Sequence, residues 1–267
     1  MLITLTTDFG YQDPFVGIMK GVIAGINPRA QVIDLTHGIA PQDVMAGALS
    51  LRQAVPYFPP GTIHVAVIDP GVGGARRAIG IASGGNYFIG PDNGVLSFAV
   101  AGAKPERIVE LSNPEYQLKA AGTTFHGRDI FAPAAAHLSL GVPPAALGPS
   151  LSAFVELRLP EVRREHGRWE GEILYIDRYG NLFTNLTARD LTGLPRGELR
   201  IAAGSTLIAG IAKSYDSVAA GELVAVWNSS GFLEIAVNRG SAQRICNARV
   251  GDQIILTATG PEDGGEK

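Results

Sequence analysis

Cysteine is nearly absent. Cys246 is the only one in 267 residues, so no disulfide can close within the chain and no cysteine-rich metal site can form. Long apolar runs are missing too, none approaching the roughly 18 uncharged residues of a membrane span. The N-terminus, Met1 to Asp8, has no basic stretch ahead of an apolar one and meets a carboxylate early, unlike a secretory leader. Nor is there a basic run. With 22 Lys and Arg against 25 Asp and Glu the net charge is −3, which provides no electrostatic footprint for nucleic acid. These absences lead us to expect a soluble, cytoplasmic protein with neither a nucleic-acid nor a membrane partner.

What the chain does have is apolar residues, 46% of the total, enough for a full-sized core and against intrinsic disorder away from the ends. It is also rich in glycine and proline, 34 and 17 residues, more than the roughly 12% these two normally supply together. The glycines follow no three-residue period, which removes a collagen-like chain.

The first half alternates strand and helix patterns. Leu2 to Thr7 is a β-branched run ending at Asp8-Phe9-Gly10. Asp13-Pro14 then reads as a helix start, with Asp13 as cap and Pro14 in the first turn. Phe15, Ile18, Met19, Val22, Ile23 and Ile26 follow at helical spacing, and Asn27-Pro28 stops them. Gln31 to Leu35 reads as a strand, Pro41 to Val55 as a helix, and Thr62 to Ile68 as a strand apolar enough to be covered on both faces. Further strands are expected at Ala78 to Ala82 and Tyr87 to Ile89, and helices at Asn93 to Val100 and Ile130 to Leu138. The fold class expected is therefore α/β, with a mostly parallel sheet.

The pattern changes near residue 158. The charged stretch 158–168 reads as a linker or edge segment. Beyond it lie short β-type runs: Glu170 to Ile176, Leu182 to Asn185, Glu198 to Ile201, Leu223 to Trp227, Phe232 to Val237 and Gln253 to Thr257. Such spacing is that of a small barrel or sandwich. The expected division is an α/β sandwich domain over 1–157, a linker over 158–168, a smaller β-barrel domain over 169–260 and a disordered tail over 261–267.

Five polar clusters fall at predicted strand ends or turns, where open α/β sheets place ligands. In Thr6-Thr7-Asp8-Phe9-Gly10, a carboxylate after the first strand can accept from both hydroxyls of a ribose, or simply make a turn. Asp69-Pro70-Gly71-Val72-Gly73 ends a buried strand and leads to Arg76. It lacks the Gly-Lys-Ser/Thr ending of a P-loop and the spacing of a dinucleotide fingerprint, and reads as a tight turn bringing Arg76 near Asp69. Thr123-Thr124-Phe125-His126-Gly127-Arg128-Asp129 holds a histidine able to move protons, beside an Arg128–Asp129 pair that can be purely local. Asp177-Arg178-Tyr179-Gly180-Asn181 and Asn228-Ser229-Ser230-Gly231 are turns that suit hydrogen bonding to a purine edge, or ordinary turn chemistry. Asp8, Asp69, Asp92 and His126 alone would also fit a metal-dependent phosphohydrolase.

In their order and spacing, these blocks, with Thr36-His37 and Gly90-Pro91-Asp92-Asn93-Gly94, resemble the S-adenosyl-L-methionine (SAM) hydroxide adenosyltransferase family, the SAM hydrolases, relatives of SAM-dependent fluorinases and chlorinases. The resemblance runs over most of the chain. It implies an N-terminal α/β domain and a C-terminal β-barrel. It also implies a homotrimer with SAM bound at subunit interfaces, and hydrolysis of SAM to adenosine and L-methionine without cofactor or metal. The family's catalytic Asp, Arg and His fall on Asp69, Arg76 and His126. The resemblance places Asp8 on the ribose, Asn181 on adenine, Phe125 along the purine pocket, and Asp13, Asp177 and Ser229 near the methionine end; Tyr179 and Asn228 stand in the same blocks. Halogenating relatives carry Tyr in place of Asp69 and lack His126, so water is the expected nucleophile. Ser230 stands where the halogenase type has Arg, so the methionine carboxylate must be met differently. The alternatives are a SAM halogenase and a non-catalytic SAM or adenosine sensor.

Overall fold

A computed structural model describes residues 1–119, 122–165, 167–192 and 199–258. The chain divides into two compact units, the first Met1–Leu157 and the second beginning at Arg158.

The first unit is built on six strands: β1 (Leu2–Thr7), β2 (Gln31–Thr36), β3 (Ile63–Val67), β4 (Ala78–Ser83), β5 (Asn86–Pro91) and β6 (Arg107–Glu110). Their order is β2-β1-β3-β5-β4-β6. β2, β1, β3 and β5 pair in parallel, and β4 is antiparallel to both neighbours. Among the described residues four α-helices accompany the sheet: α1 (Phe15–Ile26), α2 (Val44–Ala54), α3 (Ser97–Val100) and α4 (Ala132–Ser139). Every residue of β3 is buried, as expected of a strand covered on both faces. On one face Ile3, Leu5, Ile63, Val65 and Val67 pack with Met19 and Ile23 of α1 and Ala132 and Ala135 of α4. The chain leaves β1 towards β2 and leaves β3 towards the opposite side of the sheet. Diverging loops at adjacent strand ends open a crevice between them. Asp8 and Asp69 stand just beyond those two strand ends.

The second unit is antiparallel. Its strands are β7 (Arg163–Glu165), β8 (Arg168–Ile176), β9 (Leu182–Thr187), β10 (Leu199–Ala203), β11 (Thr206–Ala209), β12 (Leu223–Trp227), β13 (Phe232–Val237) and β14 (Gln253–Ala258), with a short helix α5 (Ala242–Cys246). They run β11-β10-β14-β8-β9-β13-β12, with β7 added against β8. A bridge between Ala212 and Val226 brings the chain after β11 to β12, so the two ends of the path nearly meet. The result is a near-closed barrel around Trp169, Ile173, Leu186, Ile201, Leu233 and Leu256.

Several expectations change in detail. Asp13 does not cap α1: the helix begins one residue later, Pro14 occupies the cap position without a side-chain bond, and its carbonyl accepts from Ile18 N at 2.9 Å. Segment 158–168 is not a plain linker, since β7 lies within it, Val162 packs on the second core and Pro160 O accepts from Asn185 Nδ2 at 2.8 Å. Its charge is that of an edge strand, where unpaired backbone is kept from further pairing. The helix expected from Ile130 starts as a π-helical turn, Gly127–Phe131, before α4. Strands β6 and β11 were not expected from the sequence, and β7 realises the edge alternative for 158–168. Glu198, His166 and the tail 261–267 lie outside the described residues.

Candidate active site

The first unit holds a cavity of about 520 Å³ lined by residues of four loops, among them Asp8, Phe9, Gln42, Asp69, Phe125 and His126. Three sequence clusters far apart along the chain thus converge on one space, at the strand ends where the topology predicts it.

Asp69 follows β3 at the start of the glycine-rich turn. Gly71 makes that turn possible at close quarters, because a Cβ there would meet Arg76 Cγ at 3.2 Å. Arg76 folds back on Asp69 with both arms, Nε donating to Oδ1 at 2.9 Å and Nη2 to Oδ2. The two side chains are only 10% and 4% exposed, so the pair is screened little by solvent and its geometry is fixed. The same Nη2 lies 2.6 Å from His126 Nδ1, and the Phe131 ring covers the guanidinium at 5.6 Å.

That contact settles the ring's tautomer. A guanidinium only donates, so Nδ1 is the acceptor and Nε2 of the neutral ring carries the hydrogen. Burial, and then the Arg76 charge, hold the His126 pKa below its usual 6.5, with Asp69 and Asp129 pulling the other way. His126 itself precedes the π-helical turn, a widened helical geometry that often accompanies functional sites. Gly127 lets the turn pass under the aromatic wall, since a Cβ there would meet the Phe125 ring at 3.0 Å.

Phe125 forms that wall with Phe9 and Phe15, the three rings meeting edge to face with centroids 5.3 to 6.0 Å apart. Arg128 and Asp129 form the expected local pair, at 2.6 and 2.9 Å. Asp8 Oδ2 accepts from Gln42 N at 2.8 Å. Gln42 has φ of 68°, a left-handed conformation that costs a non-glycine residue free energy and tends to occur at ligand clamps. The sequence reading missed Gln42, and nothing in a Pro-Gln-Asp run signals that conformation. Asp13 is exposed and is not among the cavity's lining residues.

The four-residue set of a phosphohydrolase is not brought together. Asp92 accepts from Arg77 Nε at 2.8 Å and from Val155 N at 2.7 Å, a role in holding the end of the unit. Among the described residues no three of His, Cys, Asp and Glu converge as metal ligands.

In the second unit Asp177, Tyr179 and Asn181 line a cavity of about 480 Å³ with Tyr215, Val237, Arg239 and Gly240. Asp177 is largely occupied with its own turn: Oδ1 accepts from Tyr179 N at 2.8 Å and Asn181 N at 2.9 Å, and Oδ2 from Asn181 Nδ2 at 2.9 Å. Tyr179 is 77% exposed. Asn228 Oδ1 likewise accepts from Ser230 N and Phe232 N. Ser229 is exposed, and neither it nor Asn228 is among that cavity's lining residues. Tyr215 OH donates to the buried Glu234 at 2.6 Å. Burial, with Asp177 nearby, outweighs that bond and lifts the Glu234 pKa above the ordinary carboxyl value. A carboxylate inside the apolar run of β13 was the available sequence signal for Glu234, and it was passed over.

Comparison with known proteins agrees with this architecture. The model of the SAM hydroxide adenosyltransferase N-terminal domain matches residues 3–148, and that of the C-terminal domain matches residues 171–255. A curated (R)-S-adenosyl-L-methionine hydrolase of Salinispora arenicola is 42% identical, the match covering 96% of this chain and 97% of the relative. A second, of Thermus thermophilus, is 41% identical over 94% and 97%. A fluorinase of Nocardia brasiliensis is more distant, 28% identical over 95% of each chain. The crystal structure of an uncharacterized conserved protein from Thermotoga maritima superposes with a TM-score of 0.87 at 37% identity, covering 96% of this chain and all of that one. With both domains matched in order over most of its length, the chain belongs to the SAM hydroxide adenosyltransferase family.

Proposed function

We propose that this enzyme hydrolyses SAM to adenosine and L-methionine by in-line attack of water at C5′ of the ribose. The observation that carries the reading is the Asp69–Arg76–His126 cluster, set in a cavity that also presents a carboxylate, Asp8, and an aromatic wall.

The sulfonium leaves as a neutral thioether, so no general acid is required. The oxygen–C5′ bond forms as the C5′–S bond breaks, the bonding pair passes to sulfur, and one proton of the water must go to a base. Asp69 is that base. Its two contacts with Arg76 leave carboxylate lone pairs over, whereas neutral His126, accepting at Nδ1, offers an N–H at Nε2 and orients the water by donating to it. Arg76 holds both groups and stabilises hydroxide character as it develops. Positioning of the nucleophile and exclusion of bulk water supply the remaining acceleration. The reaction needs no cofactor and no metal.

Asp8 takes the ribose hydroxyls and Phe125 lines the purine. Asn181, Tyr179 and Asn228 serve adenine, and Asp13, Asp177 and Ser229 the methionine end. Asn181 Nδ2 gives one hydrogen to Asp177, and its Oδ1 is an acceptor suited to the adenine amino group. The family resemblance further supports a homotrimer in which each site is shared between subunits, and the single cysteine supports a cytoplasmic setting.

Incubation of the purified protein with SAM, followed by chromatography, tests the reading. Adenosine and methionine in equal amounts are expected, with EDTA without effect. Tight SAM binding without product would point to a sensor, and 5′-chloro-5′-deoxyadenosine at high chloride to a halogenase.

A further inference from the structure

Behind the Asp8 end of the cavity lies a buried polar chain that the chemistry above does not use. His37, at the end of β2, has a fully buried side chain. Its Nδ1 is 2.8 Å from Thr7 Oγ1. Its Nε2 is 3.1 Å from Asp34 Oδ1, a charge contact that does not make a hydrogen bond. Asp34 Oδ2 accepts from Lys20 Nζ of α1 at 2.6 Å. Burial raises the Asp34 pKa, but the Lys20 bond and the neighbouring His37 prevail and leave it below the ordinary carboxyl value.

The directions of these bonds fix one another. A carboxylate facing Nε2 favours the hydrogen there, so Nδ1 accepts and the Thr7 hydroxyl donates to it. Thr7 Oγ1 keeps its lone pairs and accepts from Phe9 N at 3.2 Å. The carbonyl of His37 in turn accepts from Gly10 N at 2.8 Å. Gly10 sits at φ of 65°, which glycine tolerates without cost. The Tyr11 ring packs edge-on against the imidazole, centroids 5.1 Å apart. His37 therefore grips the loop carrying Asp8 and Phe9 on both sides of those residues. It also begins the segment that ends at Gln42, whose N–H holds Asp8 Oδ2.

The register agrees with this placement. The parallel β1–β2 pairing shifts between Leu5 and Thr6, and a bulge at that point re-aims the strand end beside the cavity.

We propose that His37 is a positioning residue for nucleoside recognition: through Thr7 and the Gly10 amide it sets the Asp8–Phe9 loop in the conformation that binds the ribose, with Asp34 and Lys20 fixing its tautomer. The inference deepens the SAM reading of this cavity and rests on it. The network touches neither Asp69 nor His126, so its loss weakens binding and leaves the chemical step alone.

The test compares the wild type with Thr7→Val, which removes the hydroxyl at nearly constant shape, and Thr7→Ser, which keeps it. For Thr7→Val we expect KM for SAM and Kd for adenosine to rise by about tenfold, in line with one lost buried hydrogen bond, and kcat to stay within about threefold. Amide deuterium exchange over residues 8–13 should accelerate. Thr7→Ser should return all three to near wild-type values. If Thr7→Val does not fold, Lys20→Met gives the same readings from the exposed end of the chain. Unchanged exchange and KM, a fall in kcat alone, or a serine variant behaving like the valine one would overturn the proposal. A wild type that binds adenosine but makes none from SAM would instead overturn the enzymatic reading. The exchange and adenosine-binding comparisons would then still decide the role of His37.

Discussion

The two cavities are built on different principles. That of the first unit lies at the ends of parallel strands, where Asp69, Arg76 and His126 are tied to one another and supported by residues distant in sequence. That of the second unit is made of turns, in which Asp177 spends its oxygens on the backbone and side chain four residues away at most. Fixed charges held by distant partners suit a reacting centre, because they need not reorganise when charge moves. Locally satisfied turns suit recognition, since they present amide edges and rings in a set shape at little cost in buried charge.

The sharpest way to break this contrast is to remove charge on each side. Asp69→Ala should lower kcat by about 10²–10⁴-fold, as expected for a lost general base, with a modest change in KM. His126→Ala should fall in the same direction by a smaller factor, since the water keeps its base; a larger loss than for Asp69→Ala would reverse the assigned roles. Steady-state kinetics on both variants reads this directly.

The two units should also respond to acid in opposite senses. Burial holds the His64 pKa at about 4, below its unfolded value of about 6.5, so the unfolded state takes up the proton first. The resulting stability is complete above pH 6.5 and declines towards pH 4, a loss of about 3 kcal/mol. His64 has little way to accept the charge, wedged between Phe58 and Phe88 with Thr4 on Nδ1. Glu234 has the reverse sign. Its raised pKa means that its contribution is complete below the unfolded value and is lost as pH rises through the folded one. Denaturant titrations across pH 4 to 7 should therefore show acid destabilisation that His64→Phe reduces, the depressed His126 and Asp34 leaving a remainder of the same sign. Glu234→Gln should gain stability relative to wild type towards neutral pH.

The smallest effects belong to the turns. Asp177→Ala should cost about 1–3 kcal/mol of stability through the donors it strands, while raising KM more than it lowers kcat. Ser229→Ala, at an exposed position, should change KM by no more than about threefold if its hydroxyl makes one solvent-competed bond.

The same contrast governs what could be read from the sequence. The strands of the first unit are continuous apolar runs broken by turn residues, so β1 and β3 stand where periodicity puts them, and Asp8 and Asp69 fall at their ends. Arg76 near Asp69 was legible because a tight glycine turn brings a residue seven positions on back to its start. His126 joining them was not legible from spacing, since 50 residues and a whole antiparallel hairpin intervene; only the family resemblance linked it. Gln42 and the His37 network escaped for the same reason, as their geometry depends on tertiary contacts between β1, β2 and α1. In the second unit the charged stretch 158–168 left a linker and an edge segment as alternatives, and the edge strand β7 lies within it. The Asp13-Pro14 pair gave the right helix with the wrong cap: Pro14, not Asp13, takes the cap position, and no side chain caps the first turn.

The central claim is attack by water on C5′, and isotope labelling tests it most directly. Turnover of SAM in water enriched in oxygen-18 should yield adenosine carrying one heavy oxygen, at O5′, with unlabelled methionine. Adenosine without label, or no adenosine from folded protein, would contradict the account.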